Sequence, residues 1–474
     1  MHEDQQNPKI RIIKLAVCFL VPILILMSPV PQGLSKLAWQ TLAVYMGAIF
    51  GIMLRPLPEP VVLIISMAAL SIFFKGIHVA LGAFAEATPW MIFTAFIIGQ
   101  CFVETGLGAR IAYFLIEKFG KNTLRLGYIS TLTDLILAPA IPSNTARTGG
   151  LVYPIFRGLA ETLDSRPGET ARRAGSYFMI LMYQNSLQTG SMFVTAGAIM
   201  PVLLKLTKDL MGGEIDWIQW AAAMSLPGLL GLLIIPYVVY KIYPPEIKEV
   251  CKTSLTKEGK EKLGAMSVRE KLLAFIFVGG IVCWSTASIT KLDTTAVALT
   301  MLALCLLTGV ISWEKVLKNG SAWSTFLWYA GIMSIANGLN KAGFFKWLGK
   351  WFEMNIHFAG MNQTFVLVGL ILLTIVVRYV FASTIAFVVT FIPVIFVMGA
   401  AAKLPAIPLL LLCAASAQIA SLLTHYGNAC GPVLFGAGYV DQVTWWKIGH
   451  ISVVICMSIY FLIGLPWWKI LGLW

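Results

Sequence analysis

Three stretches of this chain, residues 174–204, 379–402 and 404–440, each run for more than twenty residues without an Asp, Glu, Lys or Arg. A bilayer-spanning helix needs about 20 predominantly apolar residues. Shorter apolar runs at 15–30, 217–240, 272–288, 294–311 and 448–473 add to the same pattern. Only 12% of the residues are charged, against about 25% for a soluble protein. The fold class expected is an all-α polytopic membrane protein, with roughly eleven spans plus two re-entrant hairpins.

The net charge of +13 does not point to nucleic acid, because it gathers in loops. Residues 241–271 hold Lys241, Lys248, Lys252, Lys257, Lys260, Lys262, Arg269 and Lys271. By the positive-inside tendency this loop is expected to be cytoplasmic, as is the N-terminus with Lys9, Arg11 and Lys14. The excess charge would add a mild attraction for anionic substrates or lipids. Trp445, Trp446, Trp467, Trp468 and Trp474 are expected to anchor the C-terminus at the membrane interface. The eight cysteines are scattered without CxxC spacing, so neither a metal site nor a disulfide framework is expected. No signal or transit peptide is evident. A bacterial cytoplasmic membrane is the expected location.

Landmarks recur at an offset near 240 residues. Gly106 pairs with Gly343, Ser143-Asn144-Thr145 with Ala382-Ser383-Thr384, Pro154 with Pro393, and Gly190-Ser191 with Gly427-Asn428. Each half therefore reads as spans, then a hairpin with a polar tip (residues 124–159 and 363–398), then an apolar run interrupted by glycine. Two broken hydrophobic segments at matching places mark the binding site of a secondary transporter built from inverted repeats. Irregular backbone survives at membrane depth only where it lines a cavity or is buried in protein.

Two capped tips would face one another with their positive helix ends. Ser143, Asn144 and Thr145 would offer donors from one side, and Ser383 and Thr384 from the other. One carboxylate at each tip favours a doubly charged cargo. The glycine breaks, with Gly190, Ser191, Gly427 and Asn428, would allow close backbone approach. Arg147, Arg378 and His425 are the ionisable groups of these regions, and such groups inside a membrane protein are functional candidates by default.

Residues 140–150, Ala-Ile-Pro-Ser-Asn-Thr-Ala-Arg-Thr-Gly-Gly, resemble the signature of the divalent anion/sodium symporter family. Residues 378–384, 423–428, 436–439 and 104–112 resemble the same family, in its citrate/succinate and tartrate/succinate exchanger branch. The resemblance implies a homodimer, a scaffold domain, a mobile transport domain and elevator-type alternating access, with the triplets and glycine breaks binding carboxylates. On this chain that places scaffold helices at 1–89 and 211–322, transport regions at 90–210 and 323–440, and a C-terminal helix at 441–474. The second triplet reads Ala-Ser-Thr where symporters of the family have Ser-Asn-Thr. With one sodium shell depleted of oxygens, Arg378, helped by Arg147 and His425, is expected to supply fixed positive charge instead. The expected activity is sodium-independent exchange of succinate, malate, 2-oxoglutarate, citrate or tartrate. Sodium-coupled dicarboxylate symport is the alternative. No cofactor is expected. An enzyme would need paired acids, a histidine cluster or a nucleophile with its base, and none is spaced for that.

Overall fold

The computed structural model describes residues 8–250, 263–356 and 360–474, and every regular element among them is helical. Residues 251–262 of the basic segment lie outside the described residues. Eight helices are long and apolar enough to cross a membrane by length and composition: Lys9–Met27, Lys36–Leu54, Ala87–Thr105, Trp217–Ile242, Gln363–Val380, Thr384–Ala401, Ala406–Leu423 and Gln442–Ile470. Glu59–Phe74 and Thr294–Leu307 are shorter apolar helices.

The helices used below are α1 (Pro8–Met27), α2 (Lys36–Leu54), α3 (Glu59–Phe74), α4 (Ala87–Thr105), α5 (Leu107–Phe119), α6 (Thr123–Leu137), α7 (Tyr153–Thr162), α8 (Gly175–Met192), α9 (Ile199–Met211), α10 (Trp217–Ile242), α11 (Val268–Ser285) and α12 (Thr294–Leu307). They continue as α13 (Gly320–Lys341), α14 (Phe344–Asn355), α15 (Gln363–Val377), α16 (Thr384–Thr390), α17 (Ile392–Ala401), α18 (Ala406–Ile419), α19 (Cys430–Phe435) and α20 (Gln442–Ile459).

One group of packed helices comprises α1–α4 and α11–α13. A second gathers α6–α10 and α15–α20 around α8 and α18, whose residues are almost all buried. Helix α10 was expected with the scaffold, but it packs along α8 and α20. The reason is a set of polar ties. Tyr177 Oη donates to the Pro236 carbonyl (3.1 Å), Gln188 Nε2 to that of Gly228 (2.8 Å) and Trp220 Nε1 to that of Ser191 (3.0 Å). Gly228 and Gly231 leave room for Met192 and Gln188. The C-terminal segment joins the same group. Trp467 and Trp468 donate to the carbonyls of Ala222 and Ala223, both at 2.9 Å. Trp445 and Trp468 are fully buried, so they act as packing residues and not as interfacial anchors.

The same order of elements is met twice. Gly106 (φ +81°) ends α4 and Gly343 (φ +89°) follows α13, both left-handed, and each redirects the chain into an amphipathic helix, α5 or α14. Asn122 and Asn362 then cap the first arm of each hairpin. Ser143 and Ser383, 240 residues apart, cap the outgoing arms through Ala146 N and Ala386 N, both at 3.3 Å. By Pro154 and Pro393 the offset has fallen to 239, with each proline in the first turn of its helix. The extra residue of the first half is taken up by a wide, π-helical stretch over Thr145–Val152.

The fourth landmark pair is not in register. The long helices break at Phe193 and Thr424, both extended, which are 231 residues apart. Gly190 and Ser191 therefore lie inside α8, before its break, while Gly427 and Asn428 follow theirs. The cause is the connection between hairpin and helix, residues 163–174 in the first half and only 402–405 in the second.

Candidate functional site

The tips are built by local rules. Pro139 and Pro142 follow the end of α6, and proline cannot continue a helix without losing a bond. Ser143 then accepts with both its carbonyl (Arg147 N, 2.8 Å) and its hydroxyl (Ala146 N). In the second half a single tight turn, Arg378–Val380, ends the incoming arm, and Ser383, extended at φ −126°, ψ 126°, starts the outgoing one. Each tip thus presents the start of a helix, where unpaired N–H groups and the helix dipole favour an anion.

Both tips line one cavity of about 320 Å³. Pro142, Ser143, Asn144 and Thr145 meet Ala382, Ser383 and Thr384 there. The breaks supply Gly197, Ala198, Tyr426, Asn428 and Ala429, and α18 supplies Gln418. Phe96, Thr325, Trp328 and Arg55 close the cavity from the first helix group. Six of the residues expected to bind cargo therefore share one space: Ser143, Asn144, Thr145, Ser383, Thr384 and Asn428.

Gly190, Ser191 and Gly427 do not line it. They stand behind the wall. A Cβ on Gly190 would come within 2.9 Å of Asn144 Oδ1 and 3.3 Å of Gln418 Nε2. Gly190 thus makes space for the contact between Asn144 Nδ2 and Gln418 Oε1 (3.3 Å). Gly427 gives the same service to Ser421 and Thr424. The hydroxyl of Ser191 is spent within its own helix on the Gln188 carbonyl (2.9 Å). On the other side of the cavity, Asn428 Nδ2 donates to Thr384 Oγ1 (3.3 Å), which donates to the Gly427 carbonyl (3.2 Å).

Two buried arginines fasten tips to breaks in parallel fashion. Arg147 donates to the tip carbonyl of Ile141 (2.8 Å) and to the break carbonyl of Ala196 (3.1 Å). It also reaches Ser186 O (3.2 Å), Thr189 Oγ1 (3.0 Å) and Asn144 Oδ1 (3.4 Å). Arg378 donates to the tip carbonyl of Phe381 (2.5 Å), to Thr384 Oγ1 and Ser421 Oγ (both 2.9 Å), and to the break carbonyl of Gly427. Ala196 and Gly427 are 231 residues apart, so they occupy matching places past the two breaks.

The arginines differ in charge balance. Arg147 is paired with Asp134 (Nε to Oδ1, 3.1 Å), both buried, and Thr148 and Thr189 also donate to that carboxylate. Its charge is neutralised at source, which departs from the expectation of a second fixed charge facing cargo. Arg378 has no carboxylate within ion-pair reach among the described residues, and it lies over the ring of Phe387 at 5.4 Å. Its Nε is buried without a partner.

His425 contributes no cation here either. Its ring stacks on Phe435 (4.4 Å), and its Nδ1 accepts from Trp446 Nε1 at 3.1 Å. An indole N–H only donates, so that ring nitrogen is the acceptor in this contact. His425 does not line the cavity. Among the described residues no group of three or more His, Cys, Asp or Glu could hold a metal ion.

Gln418, Trp328 and Arg55 are lining residues that the sequence does not single out, while Tyr426 belongs to its second glycine break. Gln418 carried a signal, as a buried amide near the end of a long apolar helix, next to the second break. Arg55 carried none beyond its place at the end of a span.

A profile of the sodium:sulfate symporter transmembrane region matches residues 9–474. The inner membrane protein YbhI of Escherichia coli (strain K12) is 40% identical over 472 residues, covering 97% of this chain and 98% of the relative. The putative malate transporter YflS of Bacillus subtilis (strain 168) is 36% identical, with 98% of each chain covered. The L-tartrate/succinate antiporter of Escherichia coli (strain K12) is 33% identical, covering 94% and 95%. The solved structure of Neisseria gonorrhoeae MtrF superposes with a TM-score of 0.59 at 11% identity, over 98% of this chain and 96% of that one, which is a likeness of fold.

Proposed function

Since this chain belongs to the family of the sodium:sulfate symporter transmembrane region, a family of multi-pass membrane transporters and not of enzymes, we propose that it exchanges di- or tricarboxylates across a bacterial cytoplasmic membrane without sodium. The cargo class is drawn from succinate, malate, 2-oxoglutarate, tartrate and citrate. Relatives named as a tartrate/succinate antiporter and a putative malate transporter support a carboxylate cargo.

One observation carries the reading: the two helix tips line a single cavity whose walls, among the described residues, hold hydroxyls, amides and no carboxylate. One cargo carboxylate sits at each tip, against Ser143-Asn144-Thr145 and Ser383-Thr384, with Asn428 between the second tip and its break. Arg378 stands directly behind Thr384 and Gly427 as an uncompensated cation. A buried charge without a partner is costly. The empty carrier therefore moves poorly and the loaded one moves easily, which is obligatory exchange. A sodium ion would leave with the cargo, whereas a guanidinium stays in the protein.

The moving body in this proposal is the helix group around α8 and α18, including α10 and α20. The frame is α1–α4 with α11–α13. The two element series are inverted repeats, the body travels as an elevator, and a second copy pairs with the frame. The N-terminus and the 241–271 loop face the cytoplasm.

The test is counterflow with the purified chain in proteoliposomes. Vesicles loaded with unlabelled succinate should accumulate labelled succinate, malate or tartrate at equal rates with and without sodium, and empty vesicles should not. Uptake into empty vesicles driven by a sodium gradient would instead establish the symporter reading. Flux without saturation or counterflow would exclude a carrier.

A further inference from the structure

Among the described residues lining the cavity between the tips, Arg55 alone carries a formal charge. Arg147 and Arg378 lie behind the wall: Arg147 is turned to the Asp134 carboxylate and to protein carbonyls, and Arg378 to protein carbonyls and hydroxyls, with its Nε left without a partner. An anion in this cavity meets tip donors from one helix group and a guanidinium from the other.

Arg55 is placed there against local preference. It ends α2 in the left-handed region, at φ 48° and ψ 52°, with its N–H closing back on the Gly51 carbonyl (3.0 Å). Glycine is the residue that adopts this conformation without steric cost. Pro56 follows directly and narrows the choices of residue 55 further. The turn carries strain that a glycine would relieve; Lys75, Asp164, Lys291 and Lys403 share this backbone, and Arg55 differs from them in lining the cavity. Glu59, in the first turn of α3, holds the guanidinium (Nη2 to Oε1, 3.1 Å) while half of the side chain stays open. That single contact leaves several of its five N–H donors free for a carboxylate.

We propose that Arg55 is a state-dependent specificity residue. It meets one cargo carboxylate while the tips stand where they are seen here, and the cargo leaves it behind when the tip-bearing helices move. This inference rests on the exchanger reading and its division into frame and moving body. Its consequence is an asymmetry: cargo binds more tightly at the membrane face served by Arg55 than at the opposite face, because only one of the two carrier states offers that charge.

The experiment measures half-saturating succinate separately from each face, in vesicles of known orientation, for the wild type, Arg55→Gly, Arg55→Gln and Arg55→Lys. Glycine and glutamine should raise the value about tenfold at one face, as expected for a half-exposed charge-assisted contact, and leave the other within twofold. Lysine should fall between. Added salt should weaken the wild type at that face and leave Arg55→Gly unaffected. Arg55→Gly should melt at or above the wild-type temperature, which separates lost contact from lost fold. Equal shifts at both faces, or none, overturn the proposal while the wild type still exchanges. A wild type that exchanges no di- or tricarboxylate sinks the transport reading, and this inference with it.

Discussion

Arg147 and Arg378 show how one residue type serves two ends. Both join a hairpin tip to the break of a neighbouring helix, yet only Arg147 has a counter-ion. Asp134→Asn should leave the Arg147 guanidinium buried and unpaired, at a cost of about 3–5 kcal/mol. A thermal melt in detergent reads this, and a double variant with Arg147→Met should recover part of the loss. Arg378→Gln should lower exchange more than tenfold, and it should also lower the melting temperature, because the buried carbonyls of Phe381 and Gly427 lose their donor; unchanged exchange would remove the fixed-charge mechanism. Both arginines were legible in the sequence as ionisable groups beside polar tips. Their difference was not. Asp134 precedes Arg147 by 13 residues, a spacing that makes a pair only because two prolines fold the intervening chain back on itself. His425 was equally visible, and its role turned on an indole 21 residues away.

Hairpins, caps and breaks were the readable elements, because proline, serine and glycine act locally and leave their mark in the order of residues. The cavity-lining serines were found this way. The wide helical stretch after the first tip was not, since a single additional residue changes an offset from 240 to 239 and nothing else in the sequence. Its removal is a direct test. Deleting Gly149 should tighten Thr145–Val152 into a regular α-helix and turn Asn144 by about 100° relative to α7. Counterflow should fall to background while the detergent-solubilised protein keeps its helical circular dichroism. Gly190→Ala probes the wall instead of the tip. Its Cβ would crowd Asn144 Oδ1 at 2.9 Å and Gln418 Nε2 at 3.3 Å. The half-saturating concentration should rise severalfold, by the loss of roughly 1 kcal/mol of hydrogen bonding. Gln418 is not legible in the sequence, because an amide in an apolar helix has no spacing rule to betray it.

At the scale of the molecule, the two helix groups touch through few polar ties. Lys205 of α9 lies 3.6 Å from Glu86, just before α4, and Glu86 also accepts from Asn337 of α13 at 2.8 Å. If the groups slide past each other, this tie must part. A Glu86→Cys, Lys205→Cys pair joined by a short bifunctional thiol reagent should stop exchange, each single variant should resist the reagent, and undiminished exchange in the joined protein would show that this junction is static. Membership of the helices in the two groups was only half legible, since the carbonyls and indoles that bind α10 and the C-terminal tryptophans to α8 come together through the fold alone. The two halves also complete each other in a way that bears on how the chain is made. Asn144 finds its amide partner in Gln418, 274 residues later, and Tyr183 donates to Ser421, 238 residues later. At ~5–20 residues per second, a ribosome leaves the first of these waiting roughly 14 to 55 seconds. Through that interval the Asn144 amide N–H and the Tyr183 hydroxyl lack the acceptors that the second half supplies, so a chain terminated near its midpoint should remain with the insertion machinery or be degraded.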